Sequence, residues 1–255
     1  MCGLNQNYAM KIKGSNLSCA ICQPHYLPWI GYFEMIDRVD VFVFLDDVQF
    51  IKREWKNRNK IRKTADGEDT KWLTVPIVKQ SQKSLIKDAM ISNESDWVHQ
   101  HLQSIQRVYA NTPYFKGYYT PIKNLIECHR EDTLANLNIA LITYLCKELE
   151  VNTKLIRSSD LKVNGKKEVK LLNVCKALGS DLYLANNATG EYVEENYFKK
   201  DGIWFELQNY RHPVYNQINK NKVLSFISHL SVIDIIYSHG SNSMEIIRTG
   251  KHPYN

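Results

Sequence analysis

The chain has 255 residues, 44% hydrophobic and 24% charged, with a net charge of +6. At ~100–200 residues per domain this length makes one large domain with ample core, and the composition excludes disordered, collagenous and coiled-coil proteins. No apolar run approaches the roughly 20 residues that span a bilayer and no secretion signal opens the chain, so we expect a flexible start over 1–18, a single domain over 19–255 and a cytoplasmic protein.

Ser18 to Cys22 reads as a short buried strand. It carries a CxxC spacing, Cys19 and Cys22, but with no second pair nearby these read as packed strand residues, and the six cysteines of the chain as reduced thiols. Leu27 to Arg38 is long enough for a turn and a helix, and Val39 to Leu45 is a second buried strand, for which parallel pairing with the first is the default. Trp72 to Val78 is a third apolar run, where Pro76 suggests an edge or a bulge.

From about 96 to 150 the pattern becomes helical. Trp97, His101, Ile105 and Val108 share one face, a second helix runs from Tyr118 to Cys128, and a third from Thr133 to Leu149. Strand and helix then alternate again: 153–157, a helix over 169–178 closed by Gly179, strands over 182–185 and 203–207, and a last helix over 231–237. The sum is an α/β three-layer fold with a mostly parallel sheet and a helical insertion in the middle of the chain, the insertion serving as a lid or as half of the site.

Three stretches carry chemistry, each directly after a strand, where open α/β sheets bind ligands. The first holds Gln23, His25, Tyr26, Trp29, Gly31, Tyr32 and Phe33; it offers a polar imidazole and amide beside flat walls, although a proline-aromatic turn packed on the core explains Pro28, Trp29 and Phe33 equally well. The second begins with Asp46 and Asp47, which suit a sugar hydroxyl, a Mg²⁺ ion or a helix cap, and continues through Gln49 into a basic run. Between Lys52 and Lys63 there are seven cationic side chains and one acid. Lys52, Arg53, Asn57, Arg58 and Lys60 there suit a diphosphate, while the bland reading is a solvated helix face. The third holds His212 and Tyr215: a rim histidine is a candidate base and the phenol a donor. Ser231 and Asp234, beside the last helix, suit capping and packing. We take His25, His212 and Asp46 as candidate catalytic residues and no set as a metal site. The Walker A, GxGxxG, GxSxG and HExxH patterns are absent. The mild basic excess favours anionic partners without requiring nucleic acid.

These blocks, from the QPHYLPWIGYF stretch at Gln23 through DVFVFLDDVQF at Asp40, WKNRN at Trp55 and WLTVP at Trp72 to His212-Pro213 and Leu230-Ser231, resemble the WbqC-like family in order and spacing over nearly the whole chain. The resemblance implies a place among surface-glycan and O-antigen enzymes, decorating a nucleotide-linked amino sugar by forming an amide on its amine. It supplies no catalytic list. At Asn186 to Gly190 the chain departs from the glycine-rich turn expected of the family. A weaker likeness links the first strand and proline turn to adenylate-forming ligases such as pantothenate synthetase, without their histidine signature.

Three readings follow. One is an N-acyl or aminoacyl transferase using an acyl thioester, on CoA or an acyl-carrier protein, and a nucleotide diphosphosugar. The second is an amide ligase using ATP and Mg²⁺ held by Asp46 or Asp47. The third is a glycan-binding module without catalysis.

Overall fold

The computed structural model describes residues 17–79, 84–191 and 193–250. The expected flexible start therefore lies, up to residue 16, outside the described residues, as does Cys2. In chain order the elements begin with β1 (Ser18–Cys22), α1 (Ile30–Asp37), β2 (Val41–Phe44), β3 (Arg58–Arg62), β4 (Thr70–Thr74), α2 (Trp97–Tyr109), α3 (Phe115–Cys128) and α4 (Leu134–Glu148). They continue with β5 (Lys154–Arg157), α5 (Ser158–Leu161), α6 (Lys167–Leu178), β6 (Leu182–Ala185), α7 (Asn187–Gly190), α8 (Glu195–Lys199) and β7 (Trp204–Leu207). Two short strands, β8 (Ile218–Asn219) and β9 (Lys222–Val223), precede α9 (Ile233–His239) and α10 (Ser243–Arg248).

Five strands form an all-parallel sheet in the order β5-β2-β1-β6-β7, with helices on both faces, so the fold is the expected three-layer α/β arrangement. Alternation along the strands builds it. Ala20, Cys22, Phe42 and Phe44 point to one core, shared with α1 to α4 and α9; Cys19, Ile21, Val41 and Val43 point to the other, shared with α6 and α8. Both faces being covered is why these strands read as unbroken apolar runs. At Thr133 the side chain accepts from the Asn136 amide at 3.3 Å, capping α4. Gly179, with φ of +66°, closes α6 in the left-handed region that favours glycine.

Two expectations need correction. The Trp72–Val78 run does not join the main sheet, and the basic run is not a solvated helix face: β3 and β4 pair antiparallel as a separate hairpin, Lys60 opposite Trp72. On β3, Asn59, Ile61 and Arg62 are buried while Arg58 and Lys60 are only partly so, and Ile61 is the one apolar residue of the strand. Nor is the helical segment a loose lid on the sheet. Ile105, Ile122, Leu137 and Leu141 lie in the same core as Phe42 and Phe44.

Candidate functional site

In chain order the sheet strands run third, second, first, fourth, fifth, so the chain leaves β1 in one direction and returns on its other side at β6. At such a switch point the carboxyl ends of two neighbouring strands feed connections that diverge and leave a crevice. A cavity of about 220 Å³ lies there. Cys22 ends β1 at its floor; His25, Trp29, Gly31, Tyr32 and Met35 come from the following loop and α1, Asn186 to Ala188 from the end of β6, and Gln208 and Tyr210 from the end of β7. Larger hollows, of about 560 Å³ along β7 and about 540 Å³ between α2 and α3, lie away from the switch point.

The 23–29 loop is fastened through its backbone. Asn138 of α4 donates to the Pro24 carbonyl at 2.9 Å and to that of Lys56 at 2.7 Å, and the Tyr26 amide donates to the Trp55 carbonyl at 3.1 Å. Leu27, held at φ of +41°, has its carbonyl taken by Asn59 at 2.5 Å and by the Ser231 hydroxyl at 2.8 Å. Ser231 thus clasps the loop in addition to sitting at the start of α9. Gly31 packs under the Trp29 ring, and a Cβ there would fall 2.3 Å from it, so only glycine lets this indole lie flat as a cavity wall.

Within the cavity, His25 sits 5.2 Å from the Tyr32 ring, and its buried Nδ1 has no hydrogen-bond partner. Burial, and next the charge of Lys56, push its pKa down to about 3, so the imidazole is neutral. Lys56 is itself buried; its ammonium donates to Gln23 Oε1 at 3.0 Å and pairs with Glu54. Tyr32 donates to the Gln23 carbonyl at 2.9 Å. Burial pushes Cys22 up to about 12, leaving a thiol without nucleophilic character at neutral pH. Gln208 donates to the Gly31 carbonyl and to buried Glu34, both at 2.6 Å, and Arg38 holds the Gln208 carbonyl at 3.0 Å while pairing with Glu206.

His212 lies against the opposite member of this wall. Its ring stacks on Trp29 at 6.1 Å and is 4.8 Å from His229, which stacks on Trp29 at 5.3 Å. Its Nδ1 is 2.8 Å from the Pro213 carbonyl, an acceptor only, so Nδ1 carries the proton and the buried, unpartnered Nε2 the lone pair. Burial lowers its pKa, against the pull of that carbonyl. His25 lies against Tyr32 and His212 against Trp29, two walls of the cavity, but of the two histidines only His25 lines it.

The remaining candidates are placed as follows. Asp46 is fully buried: it accepts from the Ser159 amide at 3.0 Å, the Ser159 hydroxyl at 2.9 Å and Ser158 at 3.2 Å, closing the β5–α5 turn. Asp47 accepts from Ser158 at 2.5 Å and pairs with Lys170 at 2.6 Å. Both carboxylates are engaged by side chains of the fold, which leaves them poorly suited to a Mg²⁺ ion. Tyr26 is buried with its hydroxyl 3.0 Å from His101 Nδ1, and Tyr215 donates to Asp234 at 2.9 Å, so both phenols point away from the cavity. Asn57 donates to the Val75 carbonyl at 3.0 Å. Gln49, Lys52 and Arg53 are exposed beyond the end of β2. Arg58 and Lys60 lie over Trp72. Lys56 and Gln208 line or support the cavity without having been singled out as site residues, and Asn186 had been marked only as a departure from the family's turn; their signal was position, each being next to a candidate block or directly after a strand. Among the described residues no group of three or more His, Cys, Asp or Glu is placed to hold a metal ion, and no helix is long and apolar enough to cross a membrane.

The buried neutral histidines give a pH prediction. In the unfolded chain His25 and His101 titrate near 6.5; in the fold burial takes them to about 3 and about 4. The unfolded state therefore binds more protons over this window, and stability falls as pH drops below 6.5, by about 1.4 kcal/mol per pH unit for each histidine. Urea unfolding at several pH values between 4 and 6.5 is expected to show stability rising with pH, and His101→Gln to lower that slope by about one proton; a flat profile contradicts the buried neutral state.

The fold is thus a doubly wound parallel α/β sheet with an aromatic and amide-lined cavity at its switch point, the place where such sheets bind ligands. The WbqC-like protein family model matches residues 23–246, and the chain belongs to that family. It is 30% identical over 233 residues to the uncharacterized protein Rv1507c of Mycobacterium tuberculosis (strain ATCC 25618 / H37Rv), covering 90% of this chain and 96% of that protein. No solved structure matches the chain.

Proposed function

We propose that the protein is an N-acyl or aminoacyl transferase that forms an amide on the amine of a nucleotide-linked amino sugar, in the assembly of bacterial surface polysaccharide such as O-antigen. The observation that carries this reading is the switch-point cavity, lined by a neutral imidazole between aromatic walls. An ammonium entering it meets the two influences that discharge His25, desolvation and the Lys56 charge, and both favour its loss of a proton to become the nucleophilic amine. The neutral His25 imidazole accepts a hydrogen bond from that amine and orients it. The amine then attacks the acyl carbonyl of a thioester; the C–N bond forms, the C–S bond breaks, and the proton shed by the nitrogen passes through His212 to the departing sulfur.

The test is incubation of the protein with nucleotide-linked amino sugars and acyl thioesters, followed by mass spectrometry of the sugar. The expected product carries one acyl group, forms without ATP or Mg²⁺, and does not form when a hydroxyl replaces the amine. A product that requires ATP and Mg²⁺ makes the protein an adenylate-forming ligase instead. Absence of binding to every amino-sugar nucleotide overturns the reading.

A further inference from the structure

The basic run does not act as one patch. Lys56 and Arg62 are each 1% exposed and bound internally, and Lys63 pairs with Asp69 at 3.6 Å. Arg58 and Lys60 are different. They stand on the same face of β3, the guanidinium carbon 4.1 Å and the ammonium 4.9 Å from the centre of the Trp72 ring, and neither has a carboxylate partner among the described residues. Arg58 Nε is buried with no acceptor. An unsatisfied buried donor on a cation is costly to keep, and an anion satisfies it. Beside them Trp55 and Trp72 are 41% and 38% exposed, their ring centres 5.5 Å apart.

The cavity lacks what this face has. Its lining contains no Lys or Arg, and about 220 Å³ falls below the ~300–1,000 Å³ of pockets that enclose a drug-sized molecule, so it holds one sugar-sized ring and not a nucleotide. The two places are connected. Trp29, the cavity wall, stacks on His229, and two positions after His229 the Ser231 amide donates to the Lys60 carbonyl at 2.8 Å.

We propose that this face of the β3–β4 hairpin is a nucleotide subsite, in which Arg58 and Lys60 hold the diphosphate and Trp55 with Trp72 stacks the base, while the sugar extends past Trp29 into the cavity. The inference rests on the reading of the substrate as a nucleotide-linked sugar. Arg58 supplies a planar fork for two phosphate oxygens, Lys60 a point charge, and the exposed indoles a surface for any base.

The full-length protein should be titrated by calorimetry and tryptophan fluorescence with UDP, dTDP, GDP, CDP and ADP, with the matching nucleosides, with pyrophosphate and with free amino sugars. At least one nucleoside diphosphate is expected to bind more tightly than its nucleoside and to quench tryptophan emission. Arg58→Gln and Lys60→Gln should each weaken it at least 10-fold, Arg58→Lys less, and Trp72→Phe should remove most of the quenching. Lys176→Gln, a loss of charge on α6, should change nothing, and unchanged thermal unfolding of each variant excludes misfolding. If diphosphates bind the unmodified protein and the Arg58 and Lys60 variants match it within twofold, the hairpin is not the subsite although the nucleotide-sugar reading stands. If no diphosphate binds while a free amino sugar does, both fall together.

Discussion

Changing His212 to glutamine is expected to reduce turnover by about 10²- to 10⁴-fold with substrate affinity kept, the range for a lost general acid-base group. His25→Gln is expected to act chiefly on binding. The distinction follows from proton affinity. A group pushed to about 3 remains neutral but is a weak base, so His25 suits accepting a hydrogen bond from the amine. His212 has the tautomer of a proton acceptor: the Pro213 carbonyl holds the proton on Nδ1 and leaves Nε2 unpartnered, and the ring stacks on Trp29. Steady-state kinetics of both variants over pH, with dissociation constants measured separately, distinguish the roles. Full activity in both would remove histidine from proton transfer, and a His212 effect confined to KM would make that residue a clamp.

Arg62→Met is expected to cost about 3–5 kcal/mol of folding stability, the range for removing one partner from a buried charged network. Arg62 donates to the Gly67 carbonyl at 2.7 Å, to Gln217 Oε1 and to the Ser225 carbonyl, joining β3 to a segment more than 150 positions away. The same network contains buried Asp234, which accepts from Tyr109 at 3.0 Å and Tyr215 at 2.9 Å and whose pKa is raised by burial despite those donors and the nearby guanidinium. Methionine retains the stem but supplies no donor, leaving several acceptors dry and Asp234 without its cation. Urea unfolding at neutral pH should show a lower midpoint at an unchanged slope. A loss below about 1 kcal/mol, typical of an exposed ion pair, would show that the network is not integral to the fold.

The strands of the main sheet were legible because each is buried on both faces and so spells an apolar run, as at Val41 to Phe44 and Leu182 to Ala185. β3 was not, because what buries Asn59 and Arg62 is supplied from Leu27, Gln217 and Ser225, and no local window contains those partners. The same holds for Asp46: after a strand it is a plausible catalytic acid, and only the return of Ser158 and Ser159 to its side reveals a turn-closing acceptor. That the loop from Gln23 to Tyr32 lines a cavity was legible because its polar and aromatic side chains follow β1 directly. Gln208 was not, since an amide carries no mark of its role until Gly31 and Glu34 are seen beside it.

The fastening of the 23–29 loop has a consequence for how such a protein diversifies. Asn138, Asn59 and Ser231 grip main-chain carbonyls and leave the loop's side chains alone, so the shape of one cavity wall is independent of which substituents that wall displays. The facing wall, Asn186 to Ala188, is the capped start of α7, whose residues 187 and 188 are exposed. For the proposed substrate, selectivity for a different sugar substituent is therefore reachable by exchanging residues 187 and 188 one at a time, without reopening the core, as when a lock is rekeyed by changing pins while its barrel stays in the door.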